Sequence, residues 1–190
     1  RPNWVNNRYP ADQTTGYRMN LALIANRAAE SLRQKNPVLI SVVGDLVASG
    51  GEQRDWDEFW RHNAGDFGTI AARVPMVAAL GDHDLFGGPA SSDPAQDLGG
   101  YSGRATLVGA MKFLTYFEHP ANGAQDERHE KRYHRIDFGP VALITLDTTN
   151  GGRDDGADDT NRELDRSDAA HVPDYMPGSE QYAWLERELA

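Results

Sequence analysis

The strongest constraint on this 190-residue chain is a device that it uses twice: a short apolar run that ends on glycine followed by aspartate. The first run is Val38 to Val43 in "VLISVVGDLV", closed by Gly44 and Asp45. The second is Val74 to Leu80 in "VPMVAALGDHD", closed by Gly81 and Asp82. Apolar, β-branched runs without polar alternation predict strands covered on both faces, the condition of a parallel sheet. The stretch between them is long enough for the crossover that a parallel pair needs. Ligands of such sheets gather outside the carboxyl ends of the strands, where both aspartates fall. Glycine tolerates positive φ and lets a second backbone come close, which suits a sharp exit at that rim. Two carboxylates held near each other in a poorly solvated cleft repel, and a divalent cation removes the conflict. His83 and Asp84 follow directly, offering an acid and a partner to orient it.

Around these exits the pattern predicts an α/β order. Leu21, Ile24, Ala25, Ala28 and Leu32 recur at helical spacing within Tyr17 to Lys35, and Asn36-Pro37 stops the helix. Trp56, Phe59 and Trp60 predict one face of a short helix after Gly50-Gly51, and a further short helix is expected around Phe67 to Arg73. Residues Leu85 to Gly103 and Gly151 to Gly178 have the composition of long surface loops. "ATLVGAMKFLTYF" predicts a helix between them. Tyr133 to Phe138 and Val141 to Asp147 flank Gly139-Pro140 as a β-hairpin. In the last segment Ser179 is placed to cap a helix that carries Tyr182, Leu185 and Leu189 on one face.

Composition narrows the function classes. The net charge of −10, with 19 scattered basic residues, argues against binding to a nucleic-acid backbone. The absence of cysteine excludes disulfides, zinc-thiolate sites and thiol nucleophiles. No apolar run approaches the length needed to cross a bilayer and no signal-peptide pattern opens the chain, so a soluble protein is expected. The opening "RPNWVNNRYP" lacks an initiating Met and reads as the middle of something longer.

"GDLV" and "GDHD", each after an apolar strand, resemble the second and third signature blocks of the calcineurin-like metallophosphoesterases. The strand ending "LITLDTTN" and the helix "QYAWLERELA" are similar to later landmarks of that family, so the resemblance covers Pro37 to the C-terminus. It implies a four-layer α/β/β/α sandwich in a single domain, residues 1–190, truncated at both ends. It also implies a dinuclear centre of two divalent ions, Mn, Fe or Zn, that activates water against a small phosphomonoester or phosphodiester. On the matching positions, Asp45 is the metal-bridging aspartate and Asp82 stands where the family has an Asn ligand. His83 is the catalytic histidine, and Asp84 the acid that orients it. The first Asp-x-His block and the last His ligands have no counterpart within this chain. A non-catalytic module of the same fold with an incomplete metal site is the competing expectation.

Other motifs carry less. His119-Pro120 is expected in a loop, and His62, His129, His134 and His171, without ligand spacing to one another, default to solvated positions. Gly65-Asp66 follows no buried strand and reads as a helix cap. The acidic segment with Asp154, Asp155, Asp158 and Asp159 lacks the oxygen-ligand order of an EF-hand and reads as a solvated loop. Asp147 in "LDTTN" has Thr149 where an aspartyl-phosphate site has its second aspartate.

Overall fold

A computed structural model describes residues 31, 34–65, 69–87, 103–149 and 172–190. The expected N-terminal helix lies outside them except for Ser31, Gln34 and Lys35, which are helical, and most of both long loops also lies outside. The chain divides into two compact units, one of Arg1–Ser41 and Arg54–Val77, the other of Val42–Gln53 and Ala78–Ala190.

Strand β1 (Ile40–Val42) pairs with β2 (Met76–Ala78). The Ile40 amide donates to the Pro75 carbonyl at 2.9 Å and the Ala79 amide to the Val42 carbonyl at 2.8 Å, so both strands run in the same direction, as expected. Both are shorter than their apolar runs. The expectation that Val38 to Val43 is covered on both faces is corrected: Ser41 is exposed and Val43 is 91% exposed, because Val43 has already left the ladder to enter the turn at Gly44.

In the first unit, α1 (Gln53–Asn63) has Arg61 and His62 in its last turn, where cations suit the helix dipole. Trp56 is fully buried, while Phe59 and Trp60 are half-buried and meet edge to face at 5.0 Å. Asp55, Glu58 and His62 are buried on the same helix, with His62 Nε2 3.3 Å from Glu58 Oε1, so the expectation of a solvated His62 is corrected. The expected helix at Phe67 to Arg73 is, over its described residues, a tight turn: the Ala72 amide donates to Thr69 and the Arg73 amide to Ile70. Pro75, which restricts the residue before it to extended backbone, lets the chain straighten into β2.

The second unit holds a one-turn helix α2 (Asp82–Leu85), α3 (Gly103–Tyr116), the hairpin β3 (His134–Phe138) and β4 (Val141–Thr145), and α4 (Glu180–Leu189). Its buried apolar residues include Leu80, Leu85, Ala105, Ala110, Phe113, Phe117, Tyr133 and Trp184. The hairpin pairs Phe138 with Val141 and His134 with Thr145. Gly139 at φ +60 supplies the left-handed first central position of a two-residue turn, and Pro140 fits the second. Ser179 caps α4, its hydroxyl accepting from the Tyr182 amide at 3.1 Å. The buried face of α4 differs from expectation: Gln181 and Trp184 are buried, whereas Leu189 is 69% exposed. Trp184 meets the Tyr133 ring at 5.1 Å, and Gln181 is drawn in by hydrogen bonds to the Asp147 backbone, so tertiary partners select a face that hydropathy alone did not. Among the described residues no helix is long and apolar enough to cross a membrane.

Candidate metal centre

The two Gly-Asp exits are packed back to back. Gly44 sits at φ +94, and a Cβ there would lie 2.8 Å from Cα and N of Gly81. A Cβ on Gly81 would lie 2.3 Å from the Asp45 amide nitrogen and 2.4 Å from Asp45 Oδ1. Real Cβ atoms do not approach that closely, so the contact requires glycine on both sides. Asp45 itself takes φ +55, a left-handed conformation that aspartate adopts more readily than most residues. Its Oδ1 accepts a hydrogen bond from the His83 amide at 3.1 Å, which ties the first exit to the second.

One ligand atom from each of Asp45, Asp82 and His83 lies within 4.8 Å of the others. Asp45 is exposed, and Asp82 and His83 are half-buried, so the group faces solvent at the strand ends. Partial burial pushes the Asp45 carboxyl above its ordinary range; the nearby Asp82 charge adds to this, while the His83 amide opposes it. The His83 Nδ1 is 2.9 Å from the Ala48 carbonyl. A carbonyl can only accept, so Nδ1 carries the proton and Nε2 keeps its lone pair for a cation, the arrangement by which backbone carbonyls orient metal-binding imidazoles. Two carboxylates and an imidazole form an oxygen-rich donor set with one nitrogen, which suits Mn, Fe or Zn.

Asp84 has a different part from the one expected. It is fully buried, and its carboxylate accepts from three main-chain amides: Leu46 at 3.0 Å and Val47 at 3.2 Å on Oδ1, and Gly81 at 2.9 Å on Oδ2. It therefore clamps the two exits together, and the orientation of His83 comes from Ala48 instead. Burial raises the Asp84 carboxyl to about 7, with Asp45 adding to the shift and the three amides opposing it. Its own carbonyl is just as closely held: a Cβ at Gly50 would lie 1.4 Å from it and one at Gly109 2.4 Å. The loop from Ala48 to Gln53 wraps this turn. The Gly50 amide donates to His83, the Gly51 amide to Phe86, and Lys112 Nζ of α3 reaches the Gly51 carbonyl at 2.6 Å.

The four residues singled out from the sequence thus converge, three as candidate ligands and one as their support. Sequence reasoning missed Ala48, Gly50 and Gly109; the only available signal was that Gly50 and Gly109 are glycines, one beside a loop and one inside a helix. Asp147 is not an aspartyl-phosphate candidate, since it is fully buried in an ion pair with Arg132 at 2.7 Å. His119 lies in a loop, as expected, yet it is buried, as is His134, which the sequence had placed in solvent. The acidic segment at residues 154–159, His171 and Asp66 lie outside the described residues.

Comparison of the chain with protein-family models, with curated proteins and with solved structures gave no match.

Proposed function

We propose that this chain carries the cation-binding rim of a metal-dependent phosphoester hydrolase acting on a small phosphomonoester or phosphodiester. The observation that supports this is the convergence of Asp45, Asp82 and His83 at the ends of two parallel strands. On this reading the two described ribbons belong to the larger sheets of a four-layer sandwich. The three side chains would supply ligands for one divalent ion, Asp45 would be the ligand shared with the second ion of a dinuclear centre, as the family resemblance implies, and that second ion would need ligands beyond this group. Bound there, divalent ions would polarise a phosphoryl oxygen and lower the pKa of water. The chain's own contribution is positional. The His83 amide fixes Asp45, Ala48 fixes the His83 ring, and Asp84 holds both exits at one spacing.

A second reading, a cation-binding module of the same fold without turnover, is favoured by Asp82. Its carboxylate brings a full negative charge to a place where a phosphate ester must approach, and the family that the sequence resembles has a neutral amide there. Manganese titration followed by calorimetry, with hydrolysis of p-nitrophenyl phosphate and its bis-ester in the same samples, tests both readings. The expected result is manganese uptake weakened by roughly tenfold or more in Asp45→Asn and Asp82→Ala, with manganese-supported hydrolysis lost in both. Uptake without hydrolysis selects the second reading. No uptake, or uptake that both variants leave unchanged, overturns the site.

A further inference from the structure

We propose that the buried pair His119 and His134 is a proton-operated latch that fastens β3 to the segment following α3 and loosens in acid. The proposal is independent of the cation site. His119 is 5% exposed and His134 1%, and their rings stack with centroids 3.8 Å apart and planes 28° apart. The Phe113 ring of α3 closes on His119 at 5.5 Å, so an aromatic array runs from helix to hairpin. His119 Nδ1 is 3.1 Å from the Lys131 carbonyl, which makes it a donor. Among the described residues, His119 Nε2 and both ring nitrogens of His134 have no hydrogen-bond partner.

Those open nitrogens decide what the pair can do. A neutral imidazole stacked in an apolar setting leaves one donor and one acceptor unsatisfied at most. A protonated one has two N–H donors and a full charge, and among the described residues His134 has no acceptor for either. The charged groups that act on the pair do not compensate. Glu118 favours a charge on His119 but is itself paired with Lys131, whose own charge opposes it. Among the described residues the one titratable group that acts on His134 is the other imidazole, which repels a second proton. Burial therefore dominates, holding His119 below the usual histidine range and His134 down at about 4. The buried Arg132 beside His134 in sequence is engaged with Asp147.

The sign follows from these depressed values. Above the ordinary histidine value of 6.5 both rings are neutral whether the chain is folded or not, and the latch holds. As pH falls below 6.5 the unfolded chain takes up protons that the folded chain refuses. The folding equilibrium then weakens by roughly tenfold per pH unit for His134 alone, until the folded ring titrates near 4. Other titrating groups act equally in variants that lack only the imidazole, so a difference measurement isolates the latch.

Urea unfolding of the chain and of His134→Phe and His119→Phe, from pH 7.5 to 4.5, provides the test. The ring is kept in each variant and the titration removed. The expected result is that the folding constant of the unsubstituted chain falls between pH 7.5 and 4.5 by roughly 100-fold more than that of His134→Phe, with a smaller difference for His119→Phe. Parallel curves for all three would overturn the proposal. Should His134→Phe fail to fold, the imidazole proton resonances of the unsubstituted chain decide: a His134 signal that stays neutral at pH 5.5 supports the latch, and one that titrates near 6.5 in the folded chain refutes it.

Discussion

Replacing Asp84 by asparagine separates the clamp seen in the structure from the His83-orienting role that its sequence position implies. The carboxylate accepts from three amides, two on Oδ1 and one on Oδ2. In Asp84→Asn the side-chain carbonyl can keep the Leu46 and Val47 bonds, but its NH2 then points at the Gly81 N–H, donor against donor. One hydrogen bond to a charged acceptor is lost, worth about 1.5–3 kcal/mol, and the remaining two weaken to neutral strength. The Gly81 amide is also left without its partner in a tightly packed turn, while removal of the charge relieves the burial that raises this carboxyl to about 7, so the net cost is smaller than the hydrogen-bond loss, on the order of 1 kcal/mol. The measurement belongs at pH 8, where a carboxyl raised to about 7 is ionised in the parent chain. Urea unfolding should show the midpoint lowered with the slope unchanged, which identifies a loss of native stability rather than a change in the unfolded chain. Manganese affinity should fall too, because Leu46, Val47 and Gly81 flank the ligand-bearing residues. A variant within about 0.5 kcal/mol of the parent, the range of ordinary surface substitutions, would refute the clamp.

Two further outcomes follow from close contacts. Gly81→Ala places a Cβ 2.3 Å from the Asp45 nitrogen, so it should cost about 1–3 kcal/mol as overpacking and weaken manganese binding, measured by unfolding and calorimetry. Gly123, with nothing within 4 Å of its would-be Cβ, should tolerate alanine at the cost of its positive φ alone, without affecting manganese. Asp147→Asn breaks an ion pair whose side chains are both fully buried and should cost about 3–5 kcal/mol in the same unfolding assay.

What the sequence revealed was local. Apolar runs ending at Gly-Asp predicted two strands and placed Asp45, Asp82, His83 and Asp84 together, because strand direction and the character of glycine are written within a few residues. Gly139-Pro140 and Ser179 were legible for the same reason: a turn and a cap each depend on one residue's backbone and side chain. What escaped was set by distant partners. Asp84 finds its amides 37 and 38 residues away at Val47 and Leu46. His119 and His134 lack ligand spacing and are joined only when β3 returns past the end of α3. Gln181 reads as a surface residue until the Asp147 backbone claims its amide.

The candidate centre gathers several unfavourable features in one place. Asp45 takes a left-handed conformation that costs an L-residue about 1–2 kcal/mol, its carboxyl faces that of Asp82, and a third carboxyl is buried behind them. Such strain persists only where the surroundings over-determine it. Here they do so through backbone: four main-chain amides, those of Leu46, Val47, His83 and Gly50, cross between the two exits, and that of Gly81 fixes Asp84 within the second. Backbone donors satisfy carboxylates without bringing a cationic side chain to the rim. The Asp45 carboxyl thus stays exposed to solvent beside an imidazole that the Ala48 carbonyl orients, and the strain of its backbone is held by main-chain contacts from the facing exit.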